Sequence, residues 1–150
     1  MSAIEPMLGQ EKFAAAPQKV YSALTDLDAM AATIPDLESS QKIDDRTLEC
    51  VVKPGFSFIR GKLKCTIRLA ELDPGKALTM QIASSGIGMA MDVVSKLRLE
   101  PADGGAATTL NWSAEVTRRS GLIALVGKSL IQAAAEKTIK DGWEKLRARL

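Results

Sequence analysis

Alternation of apolar and polar side chains through the middle of the chain is the feature that most restricts its fold. Between residues 38 and 117, apolar residues recur at every second position in three long segments, Leu63–Leu69, Met89–Leu99 and Leu110–Val116. A period of two is typical of strands in an antiparallel sheet with one covered face and one face in water. Clusters of Asp, Pro and Gly separate the alternating segments, as turns require. This part of the chain is therefore predicted to form six strands.

The flanking segments are predicted to add one strand and three helices. Met7–Phe13 is predicted to be the first strand, and two short helices are expected at about Pro17–Thr25 and Asp28–Ala32. Gly121–Leu150 is predicted to be one helix, about 45 Å long at ~1.5 Å per residue. Its first half is apolar nearly all round, which predicts burial on more than one side.

Only the last of these helices is long enough to cover the sheet. We therefore predict an α+β fold, in which a seven-stranded antiparallel sheet wraps around the long C-terminal helix and the short helices close one end. Such an arrangement leaves an elongated apolar interior. The 150 residues are expected to form a single domain, residues 1–150.

Composition excludes several classes of function. The chain has no histidine, which removes histidine-dependent nucleophiles, metal sites and imidazole acid–base chemistry. Its 20 basic and 18 acidic residues leave a net charge of +2, which indicates no nucleic-acid partner. No apolar stretch reaches the ~18 residues that span a bilayer, and the N-terminus does not resemble a secretory signal. A cytoplasmic protein is expected.

The cysteines and carboxylates give no sign of catalysis. Cys50 and Cys65 are too few for a disulfide framework and lack zinc-site spacing, so two reduced, buried thiols are expected. Asp44, Asp92 and Glu115 fall on outward positions of their strands, so no pair of carboxylates converges on the interior. No catalytic residue, metal site or cofactor is predicted, and the composition favours a binding protein.

Three methionines fall on inward positions of adjacent predicted strands, namely Met80, Met89 and Met91. Methionine is adaptable and suits the walls of apolar pockets. The same residues could instead fill an irregular core, with Trp112 packed beneath the helix. Gly86 and Gly88 similarly allow two interpretations, a hairpin turn or a flexible lip of a cavity.

Basic residues cluster on one polar side of the predicted sheet. A solvated sheet face accounts for them, and contact with an acidic partner is the alternative. They are Lys53, Arg60, Lys62, Lys64 and Arg68.

Six short segments, spread over nearly the whole chain, carry a resemblance to a known family. They are Phe13–Asp26, Ala31–Asp36, Ile59–Leu63, Gly86–Gly88, Thr108–Trp112 and Gly121–Gly127. With the order of elements, they resemble the CoxG family of carbon monoxide dehydrogenase subunits, within the START-like (SRPBCC) superfamily, whose fold is the helix grip.

The resemblance implies a protein that binds a lipophilic small molecule, quinone or lipid-like, in an apolar cavity without catalysing a reaction. It also implies support for the maturation or membrane recruitment of a molybdenum-containing carbon monoxide dehydrogenase-type enzyme. Relatives often carry an extension after the long helix that is associated with membrane attachment. This chain ends at Leu150, so at most peripheral membrane contact is expected.

Two sets of candidate site residues follow from the pattern and the resemblance. The ligand-binding set surrounds the predicted interior and comprises Leu24, Met80, Ile82, Met89, Met91, Val93, Trp112, Leu125 and Ser129. Ser129 is expected near the mouth, where it could orient a head group. The second set combines basic and apolar residues around the head of the predicted helix, and it is expected to contact a partner or a membrane. It comprises Arg118, Arg119, Leu122 and Ile123.

Two other functions remain open at this point. The chain could be an assembly factor that docks the dehydrogenase through the helix head or the basic face and has only an incidental cavity. It could also be a START-like hydrolase or cyclase, which would need a polar pocket with an inward acidic residue.

Overall fold

A computed structural model describes residues 6–32, 34, 36–53 and 61–150, with the side chains of residues 122 and 123 excepted. Residues 54–60 therefore lie outside the described residues. Arg60, which is predicted to belong to the basic cluster, is one of them. The elements in chain order are β1 (Met7–Phe13), α1 (Pro17–Thr25), α2 (Leu27–Ala31), β2 (Leu37–Asp44), β3 (Thr47–Val52), β4 (Leu63–Asp73), β5 (Ala77–Gly86), β6 (Met89–Ala102), β7 (Ala107–Gly121) and α3 (Lys128–Arg149).

The seven strands form one antiparallel sheet in the order β1-β7-β6-β5-β4-β3-β2, which confirms the predicted fold class. Strands β2 to β7 follow one another as a meander, and β1 pairs with β7 at the far edge. The short helices α1 and α2 therefore connect the two edges of the sheet. Asp26 separates these helices, and its carboxylate accepts the backbone N–H groups of Asp28 and Ala29 at 3.1 Å each, as an N-cap residue does.

The predicted alternation is present in the strands. On β4, Leu63, Ile67 and Leu69 are buried, whereas Lys64 and Arg68 are exposed. The face that carries the apolar residues, called the concave face below, packs against α1, α2 and α3 through one large cluster. Phe13, Val20, Leu48 and Leu110 are almost completely buried within it.

The C-terminal helix begins seven residues later than predicted. Gly121 still belongs to β7, where it lies opposite Met89, and Leu122–Leu125 forms a 3₁₀ turn. Helix α3 starts at Lys128 and has 22 residues, about 33 Å at ~1.5 Å per residue. The predicted burial of the helix head on several sides is wrong for Leu125 and Leu130, which are 84% and 48% exposed.

The C-terminal half of α3 is held by aromatic contacts to the first strand. The ring of Trp143 meets Phe13 edge-on at 6.2 Å between centroids. Leu146 is buried in the large cluster, and the Arg147 guanidinium lies 5.0 Å from the centroid of the Phe13 ring, a cation–π arrangement. At the other end, Ile131 packs with Leu63 and Met89. The helix is thus fixed to the concave face at both ends.

Strand β7 contains a bulge near its C-terminal end. Val93 lies opposite Val116, but Asp92 lies opposite Arg118, so Thr117 is an additional residue in β7. Because neighbouring side chains of a strand alternate between faces, one inserted residue exchanges the faces of all the residues after it. Arg118 therefore faces outward with Asp92, and Arg119 faces the concave side with Met91.

None of the helices in the described part of the chain is long and apolar enough to cross a membrane.

Candidate ligand cavity

A cavity of about 380 Å³ lies between the concave face and α3. This volume falls within the ~300–1,000 Å³ typical of small-molecule sites. The sheet contributes mostly aliphatic and sulfur-containing side chains, and α1, α2 and α3 complete the wall. The sheet residues among them are Met7, Cys50, Val52, Leu63, Cys65, Ile67, Met80, Ile82, Ser84, Met89, Met91, Val93, Ser95, Trp112, Ala114 and Val116.

Small residues on α3 leave the space open. Ala134, Thr138 and Gly142 follow one another at intervals of four, which places them on one face of the helix, and all three line the cavity together with Ala135. Larger residues of α3, Ile131 and Leu146, are buried against the sheet nearer the two ends of the helix. The space between the helix and the middle of the sheet is bordered by these small residues together with the larger Ile139 and Trp143.

Two tryptophans form the aromatic part of the wall. Trp112 of β7 and Trp143 of α3 both line the cavity, and their rings lie 6.3 Å apart between centroids with a tilt of 48°. Trp112 lies against Gly9 of the neighbouring strand, where an added Cβ would stand 2.4 Å from ring atoms Cε2 and Cζ2. The indole Nε1 atoms of both tryptophans are buried and have no hydrogen-bond partner among the described residues.

Sulfur atoms are unusually concentrated around the cavity. Five methionines line it, namely Met7, Met30, Met80, Met89 and Met91. Their unbranched side chains can adapt to ligands of different shape. Sequence reasoning misses Met7 and Met30, because their strand and helix show little periodicity that would mark an inward face.

The two cysteines face each other across β3 and β4. Cys50 lies directly opposite Cys65 in the strand register, and both are free thiols that line the cavity. Burial, followed by the proximity of Cys65, raises the pKa of the Cys50 thiol to about 11. Burial also raises the pKa of Cys65, against the opposing effect of a hydrogen bond with the Ser84 hydroxyl. The thiols are therefore neutral at physiological pH, and they are poor nucleophiles.

The structure brings together seven of the nine residues predicted to contact a ligand. Leu24, Met80, Ile82, Met89, Met91, Val93 and Trp112 line the cavity. The placement of the other two differs from the prediction. Leu125 lies in the exposed 3₁₀ turn, and Ser129 is exposed on the first turn of α3. The sequence pattern predicts Leu125 in the apolar head of the helix and Ser129 near the mouth of the cavity. Because β7 extends through Gly121 and a 3₁₀ turn follows it, neither residue is among those that line the cavity.

The two arginines predicted to contact a partner or membrane lie on different faces of the sheet. Arg118 is exposed and forms an ion pair with Asp92 at 3.1 Å, whereas Arg119 is half-buried and faces the concave side. The backbone of Leu122 and Ile123 lies in the 3₁₀ turn, and their side chains are outside the described part of the structure.

The charged groups near the cavity are few. Asp36 is the charged residue among the described lining residues. The carboxylates of Asp92 and Glu115 lie on the outer face, as predicted, and no group of three or more potential metal ligands occurs among the residues that the structure describes.

On the outer face, the predicted basic cluster is balanced by acidic neighbours. Lys62 pairs with Glu38 at 2.8 Å, and Lys64 pairs with Glu49 at 2.9 Å. All four groups lie on a solvated surface, where such pairs contribute little to stability.

The turn Gly86–Gly88 is a tight hairpin between β5 and β6, with φ of 58° at Ile87 and 72° at Gly88. Positive φ at both central residues is the requirement of a type I′ turn. Of the two interpretations that the sequence allows for these glycines, the structure therefore shows the hairpin turn.

Solved structures with the same architecture define the class of fold. A START superfamily protein from Mycobacterium smegmatis superposes with a TM-score of 0.71 at 12% identity, covering 96% of this chain and 95% of that one. A conserved protein from Geobacillus kaustophilus gives a TM-score of 0.88 at 17% identity, covering 97% and 94%. A protein from Rhizobium loti gives 0.71 at 15% identity and covers both chains completely. At these identities the likeness concerns the fold, which is START-like.

The family follows from the sequence itself. The model of the CoxG family, described as a carbon monoxide dehydrogenase subunit, matches residues 9–150. The chain therefore belongs to the CoxG family. A comparison with curated proteins found no match.

Proposed function

We propose that this protein binds a lipophilic small molecule, quinone or lipid-like, in the cavity between the sheet and α3. The observation that carries the proposal is a cavity of about 380 Å³ whose lining consists mainly of aliphatic, aromatic and thioether side chains. Apolar ligand surface gains ~25 cal/mol per Å² on leaving water, so a cavity of this kind favours hydrophobic ligands. The START-like fold and the CoxG family membership support the same role.

We further propose that binding occurs without catalysis. Acid–base or nucleophilic chemistry needs titratable groups that converge on the substrate. Among the described lining residues the titratable groups are the carboxylate of Asp36 and the two thiols, which are neutral at physiological pH. The chain also has no histidine to act as a base.

The family description connects this binding with an enzyme. We propose that the protein supports the maturation or membrane recruitment of a molybdenum-containing carbon monoxide dehydrogenase-type enzyme. In this role it would act in the cytoplasm, at the inner face of the membrane.

The first experiment is native mass spectrometry of freshly purified protein, followed by organic extraction of the released ligand. We expect a bound species that is released on unfolding and is identified as a quinone or lipid. If the protein is ligand-free, quinones and lipids are added and binding is followed by the fluorescence of Trp112 and Trp143, which line the cavity. Absence of binding in both experiments would contradict the proposal.

A pair of substitutions on α3 tests the location of the ligand. Ala135 lines the cavity, and Ala133 is exposed on the same helix. Ala135→Phe should fill the space and abolish ligand binding, whereas Ala133→Phe should leave binding unchanged. Equal effects of the two substitutions would place the ligand elsewhere.

Docking of a partner protein is the second candidate function, and the exposure of Leu125 favours it. Leu125 is 84% exposed, and Leu130 on the next turn is 48% exposed. Replacing both by serine should abolish capture of the purified dehydrogenase if this surface docks it. Leu8→Ser is the matched control, because Leu8 is 77% exposed on β1. Loss of capture with retained ligand binding would favour the assembly-factor role.

A further inference from the structure

Three hydroxyl groups belong to the described residues that line the cavity, and two of them are committed to the backbone. The three are those of Ser84, Ser95 and Thr138. The Ser95 hydroxyl donates to the carbonyl oxygen of Ser113 at 2.9 Å, and the Thr138 hydroxyl donates to that of Ala134 at 3.0 Å. Among the described lining residues, Ser84 is therefore the one whose hydroxyl proton is not held by a backbone carbonyl.

The hydroxyl of Ser84 contacts a thiol instead. Its Oγ atom lies 3.3 Å from Sγ of Cys65, and either group can donate in this contact. Sulfur is a weak acceptor, so the hydroxyl can donate to a stronger acceptor while the thiol donates to Oγ. Burial raises the pKa of the Cys65 thiol, which keeps the thiol proton in place for this arrangement.

The wall becomes apolar along β5 on moving away from Ser84. The next inward residues of this strand are Ile82 and Met80, which line the cavity. Trp112 lies at the level of Leu78 in the strand register, six residues from Ser84, which corresponds to about 20 Å at ~3.3 Å per residue. A ligand with its polar end at Ser84 can therefore extend an apolar body along this wall towards Trp112.

The charges near the wall favour an uncharged ligand. No basic residue occurs among the described lining residues. Arg119 faces the concave side, but it does not line the cavity and it has an interaction of its own. An ionised carboxylate would lose its hydration in the cavity without gaining a counter-ion there, which is costly.

We propose that the Ser84 hydroxyl donates a hydrogen bond to a carbonyl oxygen of the ligand, and that the ligand is an uncharged molecule with this carbonyl at one end of an apolar body. A carbonyl oxygen accepts hydrogen bonds and has no proton to donate, so it complements a hydroxyl that is able to donate. In apolar surroundings such a bond is stronger than in water. This inference rests on the proposed function and specifies its ligand class, since quinones and lipid esters both carry the required carbonyl.

The test uses methyl nonyl ketone and the alkene in which a methylene group replaces the ketone oxygen. The two probes have nearly the same shape, but only the ketone accepts a hydrogen bond. Binding is followed by tryptophan fluorescence. Ser84→Ala should weaken ketone binding about three- to tenfold, the effect of losing one hydrogen bond between neutral groups. It should leave alkene binding unchanged, which shows that the cavity of the variant is intact.

Ser95→Ala is the matched control, because it removes a hydroxyl that lines the same cavity but donates to a backbone carbonyl. It should leave the affinities of both probes nearly unchanged. A ketone affinity that Ser84→Ala lowers no more than the alkene affinity overturns this inference alone, and so does a wild type that binds decanoate as tightly as the ketone at neutral pH. If the wild type binds neither these probes nor quinones, the proposed function fails as well.

Two further probes separate the two sources of the carbonyl, methyl decanoate for esters and decyl-trimethylbenzoquinone for quinones. The quinone ring is fully substituted, so the Cys50 and Cys65 thiols cannot add to it. The probe whose affinity falls in Ser84→Ala identifies the type of carbonyl that Ser84 binds. Unchanged affinity for both would contradict the inference.

Discussion

Gly9 shows how one residue on an edge strand shapes the aromatic wall of the cavity. It pairs with Trp112 in the register of β1 and β7, and the indole ring covers its Cα. A side chain at this position would displace the ring into the cavity. Gly142 is a different case, because it lies within α3 and an added Cβ would meet no atom within 4 Å.

Alanine at these two glycines should have opposite effects. Gly9→Ala should destabilise the protein by about 1–3 kcal/mol through overpacking against Trp112. Gly142→Ala should stabilise it by about 0.5–1 kcal/mol, because alanine is the better helix former. Urea denaturation followed by circular dichroism measures both. Similar effects of the two substitutions would contradict this packing.

The Cys50 thiol should make the stability of the protein depend on pH in the alkaline range. Burial raises its pKa from an ordinary 9.0 to about 11. Between these values the unfolded thiol ionises and the folded thiol does not, so unfolding releases a proton. The free energy of unfolding should therefore fall as pH rises from 9 to 11.

Cys50→Ala isolates this contribution from other alkaline titrations. The substitution lowers stability at every pH because it removes a buried side chain. Its free energy of unfolding should nevertheless decrease less steeply between pH 9 and 11 than that of the wild type. Parallel pH profiles would show that the thiol does not contribute.

At the scale of elements, the strands were predictable and the start of α3 was not. Alternation of apolar and polar residues, and the turn residues between the segments, are local features of the sequence that predict strands. The observed bounds of β1 agree with the predicted ones. The segment after Gly121 is apolar enough for a buried helix, but β7 continues through Gly121 by pairing with β6. Pairing between strands is a tertiary interaction, which local periodicity does not contain. Gly127 then adopts an extended conformation before Lys128 begins the helix.

Truncation of leucines on α3 should distinguish its buried end from its exposed start. Leu146 is 5% exposed and Leu130 is 48% exposed. Leu146→Ala should cost about 2–5 kcal/mol, whereas Leu130→Ala should cost less than ~1 kcal/mol. Both are measured by chemical denaturation. A large cost at Leu130 would indicate that its side chain is covered in solution.

For the whole molecule, the cavity is space that the core does not fill. Sequence alone predicted six of the sixteen sheet residues that line the cavity, because these six share inward positions on predicted strands. They are Met80, Ile82, Met89, Met91, Val93 and Trp112. The sequence did not indicate the helix wall. Which face of α3 meets the sheet depends on contacts such as those of Phe13 with Trp143, which join distant parts of the chain. The inward placement of Arg119 was also hidden, because the bulge is visible only in the register.

Filling the cavity should therefore stabilise the ligand-free protein. Ala135→Phe places a ring in existing space, and the gain from its burial should raise the free energy of unfolding by about 1–2 kcal/mol. Ala133→Phe, on the exposed face, should change it by less than ~0.5 kcal/mol. Thermal and urea denaturation of both variants provide the measurement. A loss of stability in Ala135→Phe would mean that the space beside this residue is too small for a ring.

Small residues at intervals of four on α3 allow the size of the cavity to change while the fold stays the same. The sheet, its register and the two anchored ends of the helix can stay as they are while Ala134, Thr138 and Gly142 vary. Descendants or engineered versions of this chain can thus acquire a preference for slimmer or bulkier molecules through a few helix substitutions. Ligand range in this fold can diversify without any change in the strands.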